Sequence, residues 1–385
     1  MKNILFVSHS VELNGAELML LQTLKNIDRE KFRPFLAAPG KGPLLEEAGR
    51  AGVWTFTVPM KWWLTEKSRV WRQPFSWALN RGGVRRISRI IGENRIDAVM
   101  TNSSACFGGA LAARRAGVPH VWFIHEVLDG PRPLLRYFFG LRRLVKFIHG
   151  HSARVIVNSQ ASRRAFDGLD RVSVVYNGVD IPGAPETAAG GPAPAPGAGM
   201  EQGAPVLGII GKVCPEKGQE EAVRTLEIVR RSFPGARLVV IGDVKDRRYF
   251  LRLQDLIGGL GLRDAVEFAG YRRDIARVLG RVDVLLVASA IESFGRAAVE
   301  AMAMGKIVVA ADSGGLREIV RHGQNGLLVP SADPQAMARA VIAALEDPGL
   351  ARSISEGALR TARERFSLKK QIEGIERILE ECVGR

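Results

Sequence analysis

Val284-Leu285-Leu286-Val287 runs, four residues on, into Glu292-Ser293-Phe294-Gly295-Arg296-Ala297-Ala298-Val299-Glu300. An apolar β-rich run, a small turn holding Gly295 and the start of an apolar helical pattern follow one another. Strand, tight turn and helix N-terminus are how an α/β protein presents backbone N–H groups to an anion. The two carboxylates eight residues apart would repel a phosphate, so they address something beside it. A carboxylate accepts well from neighbouring hydroxyls, and the polyhydroxyl faces of a sugar and a ribose fit.

The same rhythm extends outward. Strands are expected at 206–210, 238–241, 265–269, 283–287, 307–310 and 327–329, with helices at 217–231, 247–258, 333–346, 349–365 and 368–382. The first half alternates likewise, with strands expected at 3–8, 34–38, 53–58, 97–101, 120–124, 154–158 and 172–176 and helices including 16–27 and 104–116. Such alternation predicts two doubly wound parallel sheets. Between them, 183–204 is rich in Ala, Gly and Pro, cannot build a core and reads as a linker. The expected domains are 1–182 and 205–367, and 385 residues suit two cores better than one.

Composition narrows the class. A chain with 46% hydrophobic and 25% charged residues reads as soluble and globular. No apolar run approaches the ~18 residues a bilayer crossing needs. The opening Met1-Lys2-Asn3-Ile4-Leu5-Phe6-Val7 reads as a buried strand, because His9 and Glu12 cut the apolar run short. Three scattered cysteines, Cys106, Cys214 and Cys382, argue for a reducing cytoplasm and against a disulfide framework or zinc site. Residues 1–180 hold 27 Lys/Arg against 14 Asp/Glu, whereas 181–385 hold 28 against 26. The charge excess of the first half implies an anionic partner, an acidic membrane or nucleic acid, or else a solubilising surface.

Eight segments, in order, resemble one family: Asn14-Gly15-Ala16-Glu17, His125-Glu126, Asn177-Gly178-Val179-Asp180, Gly211-Lys212…Glu216-Lys217-Gly218, Val266-Glu267-Phe268-Ala269-Gly270, Glu292 to Glu300, Ser313-Gly314-Gly315…Glu318, and Asn325-Gly326-Leu327-Leu328-Val329-Pro330. The chain resembles the retaining glycosyltransferases of the GT-B fold, glycosyltransferase family 4 (glycosyl transferases group 1). It departs from that family in having Asn14 for a glycine and Lys212 for an arginine.

The resemblance implies a GT-B fold: two Rossmann-like domains with parallel sheets facing across a cleft, the C-terminal helix within 368–385 crossing back to complete the N-terminal domain. It implies transfer of a sugar, with retained anomeric configuration, from a nucleotide-diphosphate sugar to a hydroxyl of a glycan or of a lipid-linked or lipopolysaccharide-type acceptor. Lys212 and Lys217 would stabilise the leaving diphosphate, Glu292 the donor sugar and Glu300 the ribose. His125, at a strand end, would contact the transferred sugar. Gly15, Gly211 and the backbone of Ser293, Phe294, Gly295 and Arg296 would line the donor, and Tyr271 and Arg272 would flank the base. No metal or other cofactor is expected. His149 and His151 lack a third ligand at metal spacing and read as surface or capping residues.

Residues 61–95 interleave cations and aromatics: Trp62, Trp63, Arg69, Trp71, Arg72, Phe75, Trp77, Arg85 and Arg86 among them; residues 132–148 repeat the theme. An interfacial helix on an anionic bilayer, a platform for single-stranded nucleic acid and a core-packing helix with a basic face all use that composition. The reading adopted is an acceptor or membrane surface, with no nucleic-acid partner, in a cytoplasmic monomer that binds the inner face of the membrane peripherally. A GT-B nucleotide-sugar epimerase and a non-catalytic nucleotide or nucleic-acid sensor are the alternatives.

Overall fold

A computed structural model describes residues 1–64, 73–129, 137–181, 203–272 and 274–384. It divides into two units, one of Met1–Gly178 with Leu368–Arg385 and one of Val179–Ser367.

In the first unit, β1 (Lys2–Ser8), α1 (Gly15–Asn26), β2 (Phe32–Ala38), α2 (Pro43–Arg50), β3 (Trp54–Thr57), α3 (Gln73–Glu93), β4 (Ala98–Asn102), α4 (Gly108–Ala116), β5 (His120–Ile124), α5 (Leu141–Gly150), β6 (Arg154–Val157), α6 (Gln160–Arg163) and β7 (Val172–Val174) follow one another. The strands form one parallel sheet in the order β3-β2-β1-β4-β5-β6-β7. Ile4 to Val7, all of β4 and all of β5 are buried, which is why the sequence shows unbroken apolar runs rather than alternation there.

The second unit holds β8 (Val206–Ile210), α7 (Gln219–Ser232), β9 (Arg237–Ile241), α8 (Arg247–Gly259), β10 (Val266–Gly270), α9 (Ile275–Gly280), β11 (Val284–Val287), α10 (Arg296–Ala303), β12 (Ile307–Ala311), α11 (Leu316–Ile319), β13 (Leu327–Val329), α12 (Pro334–Glu346) and α13 (Pro348–Arg365). Its parallel sheet runs β10-β9-β8-β11-β12-β13. Asp333 and Asp347 cap α12 and α13 by accepting from Ala336 N–H (2.8 Å) and Leu350 N–H (3.0 Å), each followed by a proline in the first turn.

The last helix, α14 (Leu368–Val383), packs on the first unit: Ile375, Ile378, Leu379 and Cys382 share a core with Ile4, Phe6 and Leu24. The buried Gln371 amide oxygen accepts from Gly178 N–H (2.5 Å), whereas Val179 N–H turns to Phe366 O (2.9 Å). The division therefore falls between Gly178 and Val179 rather than at 182. The Ala/Gly/Pro-rich stretch lies outside the described residues save for its last two positions. Among the described residues no helix is long and apolar enough to cross a membrane.

In each sheet the first strand of its unit, β1 or β8, sits between two neighbours whose connections leave in opposite directions. That switch point, at the strands' carboxyl ends, is where doubly wound sheets bind ligands.

Candidate active site

At the switch point of the second unit, the loop after β8 meets the loop after β11. Gly218 (φ +74°) starts α7, and a Cβ there would stand 2.4 Å from Ala288 O, so the two loops touch backbone to backbone. Ala290 N–H also donates to Glu216 O (3.2 Å). This brings Lys217 Nζ to 2.7 Å from Glu292 Oε2. The Glu292 charge raises the Lys217 pKa against the opposing effect of burial, so the lysine is held as a cation. Its side chain remains 31% exposed, reachable by a ligand.

The Glu292 loop is fixed from behind by Ser313-Gly314-Gly315. Gly315 N–H donates to Glu292 O (2.8 Å), and a Cβ on Gly314 (φ +46°) would fall 2.0 Å from that same oxygen. Only glycine admits both the backbone angle and the approach. Phe294 is a core anchor, 5.6 Å edge-on to Phe366, with its own side chain buried. Ser293 is half-buried beside it. Gly295 is the N-cap of α10, which leaves the first-turn N–H groups from Arg296 onward as the helix's free donors. Arg296 Nε pairs with Glu300 Oε1 one turn on (3.1 Å). Burial pushes the Glu300 carboxyl up, and Arg296 opposes the shift.

Gly211 N–H donates to Ile241 O (2.9 Å), continuing the sheet ladder into the loop. Lys212 is exposed, and its carbonyl accepts from Gln219 Nε2 (3.0 Å). Tyr271 is exposed, and Arg272 makes a two-pronged bond to Asp274 (3.0 and 2.9 Å).

The first unit builds a different site at its own switch point. His125 follows β5, and its Nε2 lies 2.8 Å from Asn102 Oδ1. Asn102 Nδ2 donates to Ala16 O (3.1 Å), so the oxygen faces the histidine and Nε2 must carry the proton. Nδ1 is then a buried acceptor, with no hydrogen-bond partner among the described residues. Burial drives the His125 pKa down to about 4, with Glu126 opposing, so the ring is neutral at physiological pH. Glu126 locks the loops after β4 and β5 together through Ser103 Oγ, Ser104 N–H (3.2 Å) and Ser104 Oγ (3.0 Å). Gly15, exposed, opens α1 beside them.

Sequence reading gave no role to His9, Glu17 or Asn102. His9 Nδ1 lies 3.2 Å from Glu17 Oε1, and Glu17 is buried with its pKa raised by that burial. The Asn14-Gly15-Ala16-Glu17 segment contains the acid, but only the β1–α1 turn shows that it meets His9.

One expectation is corrected. Trp63, assigned to an acceptor or membrane surface, is fully buried. It packs among Phe107, Phe147 and Tyr137 at centroid distances of 5.0, 4.9 and 5.0 Å, with its indole N–H donated to Ser104 O (2.6 Å). A two-ring side chain in a pocket of aromatics, with its one polar group satisfied, is a core residue. Trp62, by contrast, is 46% exposed, and Arg85 and Arg86 on α3 are exposed too. Arg69, Trp71 and Arg72 lie outside the described residues. His149 bonds Asp170 Oδ1 (2.9 Å), and His151 Nδ1 approaches Phe147 O (2.9 Å) at the end of α5. Among the described residues no group of three or more His, Cys, Asp or Glu is placed to hold a metal ion.

Residues 13–181 match the family model Glycosyltransferase Family 4, and residues 197–361 match Glycosyl transferases group 1. The chain belongs to the GT-B glycosyltransferases. This glycosyltransferase chain is 34% identical over 294 residues to a D-inositol 3-phosphate glycosyltransferase of Acidothermus cellulolyticus, a match covering 69% of this chain and 63% of that one. It is 38% identical over 276 residues to the protein of the same name from Xylanimonas cellulosilytica, covering 67% and 65%. Both matches span less than two thirds of those relatives' length. Among solved structures, Anabaena Alr3699/HepE in complex with UDP and glucose matches with a TM-score of 0.80 and 26% identity, over 99% of this chain and 100% of the other.

Proposed function

We propose that this chain transfers a sugar, with retention, from a nucleoside-diphosphate sugar to a hydroxyl of a glycan or lipid-linked acceptor. The observation that carries the proposal is the Lys217–Glu292 pair, set at the switch point beside the opening turn of α10. Retention requires the acceptor hydroxyl to enter on the face the diphosphate leaves, so the departing charge must be held in place as it grows. Lys212, Lys217 and the α10 N–H groups supply that positive potential, with no metal called for. Glu292, already oriented by Lys217, accepts from donor-sugar hydroxyls, and Glu300 accepts from the ribose. Tyr271 and Arg272 flank the base. Gly211 and Gly15 keep the backbone open to the ligand, and neutral His125 offers its unpaired Nδ1 to a sugar hydroxyl. UDP and glucose in the Anabaena relative favour a uridine donor.

The acceptor is proposed to be reached at an anionic membrane surface, the inner face of the cytoplasmic membrane. Exposed Phe75 and Leu79 on α3 accompany exposed Arg81, Arg85 and Arg86, and exposed Phe138, Phe139 and Leu141 accompany Arg142 and Arg143. Apolar side chains among cations are what binds an acidic leaflet. Co-sedimentation with acidic vesicles at low salt tests this; no binding would remove it.

A thermal-shift panel of nucleoside diphosphates, followed by assay of UDP- and GDP-sugars without acceptor, tests the transfer reading. A ligand bound only by the folded chain raises its melting temperature. We expect UDP to do so and a UDP-sugar to be slowly hydrolysed. Binding without turnover would point to a sensor, and conversion of the donor without release of free sugar to an epimerase.

A further inference from the structure

The segment before the undescribed residues carries two adjacent tryptophans in opposite settings. Trp63 is sunk in the core, and Asn80, itself buried, clamps the backbone of Lys61 from both sides, accepting its N–H (2.8 Å) and donating to its carbonyl (2.9 Å). Between these anchors Trp62 is held outward. Its indole N–H is spent on His9 O (2.8 Å), and its ring lies 5.0 Å from the His9 ring at an interplanar angle of 52°. A large apolar ring that is rigidly fixed yet 46% exposed is a poor use of an indole unless something covers it.

Beneath it stands the His9–Glu17 pair. Glu17 is too deeply buried for a ligand to touch; its Oε1 lies 3.2 Å from His9 Nδ1, close in distance but outside hydrogen-bond geometry. No described residue hydrogen-bonds His9 Nε2, and 11% of the His9 side chain remains exposed. Asn102, which bonds His125, donates to Ala16 O, next in sequence to the Glu17 that His9 approaches, so the two histidines stand at one end of the same sheet. The described residues after β1, β4 and β5 (9–14, 103–107 and 125–129) contain no Lys or Arg but hold Glu12, Glu126 and Asp129, while Lys61, next to Trp62, is exposed.

We propose that Trp62 and His9, the latter packed over buried Glu17, form a subsite for a neutral pyranose ring of the acceptor. The proposal rests on the transfer reading and narrows its acceptor. The apolar C–H face of a pyranose lies on the electron-rich face of an indole, and its hydroxyls project from the edge towards a polar group such as His9 Nε2.

Saturation-transfer NMR on the full chain tests it, with methyl α-glucopyranoside, methyl α-mannopyranoside and methyl β-galactopyranoside as probes and D-inositol 3-phosphate as the anionic comparison. Because a free hexose could also enter the donor site, Trp62→Ala is compared with Glu292→Ala. At least one glycoside is expected to bind the wild type, with about tenfold weaker binding after Trp62→Ala, partial retention in Trp62→Phe and no change in Glu292→Ala. Glu17→Gln, which keeps the shape, should weaken the glycoside less than Glu17→Ala. The proposal is overturned if no glycoside binds, if Trp62→Ala binds as the wild type does, if loss follows Glu292→Ala instead, or if inositol phosphate binds and the glycosides do not. A UDP-induced melting shift in the same samples keeps the two readings apart. Its presence without glycoside binding removes only the acceptor subsite; its absence removes the donor reading.

Discussion

The two units repeat one topology and fill it with opposite chemistry. At the second switch point, Lys217 is held by Glu292 and Arg296, in the first turn of α10, by Glu300, with Lys212 exposed on the loop after β8. At the first, the described residues after β1, β4 and β5 (9–14, 103–107 and 125–129) carry no Lys or Arg but include a neutral buried His125, with a buried Glu17 on α1 and an exposed Trp62 after β3. Part of the first half's large positive excess lies on α3, where Arg81, Arg85, Arg86 and Arg89 are exposed. The fold supplies a position, and the loop residues decide what binds there. On the proposals made above, one site takes an anion with hydroxyls attached and the other hydroxyls alone.

Four substitutions or conditions can break that contrast, taken from the largest effect down. Trp63→Ala empties an aromatic pocket of the first unit and should destabilise it by about 3–5 kcal/mol. Hydrogen exchange should show lost protection in 98–157 with 205–367 unaffected; equal losses in both would mean the units are not separately built. Lys217→Ala should lower kcat/KM for transfer by about 10²–10³, the range for removing one charge-stabilising donor. Steady-state kinetics with the donor varied would show it, and Lys217→Arg should recover part of the loss.

Gly314→Ala should destabilise the second unit by about 1–3 kcal/mol, because the added methyl overlaps Glu292 O at 2.0 Å and the backbone sits at φ +46°. Urea unfolding followed by a probe in that unit measures this. Last comes pH. His125 and His120 are driven by burial down to about 4 and about 3, while an unfolded histidine titrates near about 6.5. As pH falls below 6.5 the unfolded chain takes up protons first, so stability is lost progressively towards pH 4. Glu17, raised by burial, works in the opposite sense and tempers the loss. The second unit has only the exposed His322, so the acid sensitivity should appear in the first unit alone. Imidazole NMR should find His120 and His125 still neutral at pH 5; titration near 6.5 would refute their burial.

Much of this was legible in the sequence. The strands were, because both faces of a parallel sheet are covered and its apolar runs are unbroken, as in Val284 to Val287 and His120 to Ile124. The α10 turn was, because Gly295 separates a strand from an apolar helix. What pairing each charge adopts was not. Lys217 and Glu292 are 75 residues apart and meet only because β8 and β11 are neighbours. Arg296–Glu300 was visible as an i, i+4 spacing, yet the sequence offered no way to choose between that bond and a ligand. Composition also could not separate Trp62 from Trp63: successive residues of an irregular loop point opposite ways, and only the pocket formed by Phe107 and Phe147 decides which is buried.

The central claim is that Lys217 and Glu292 hold a nucleoside-diphosphate sugar at the second switch point. Calorimetric titration of UDP into the wild type and Lys217→Ala is its most direct test. The account predicts saturable binding by the wild type, weakened about tenfold or more by the substitution. Equal affinity in the two proteins, or no binding of UDP or GDP to either, would contradict it.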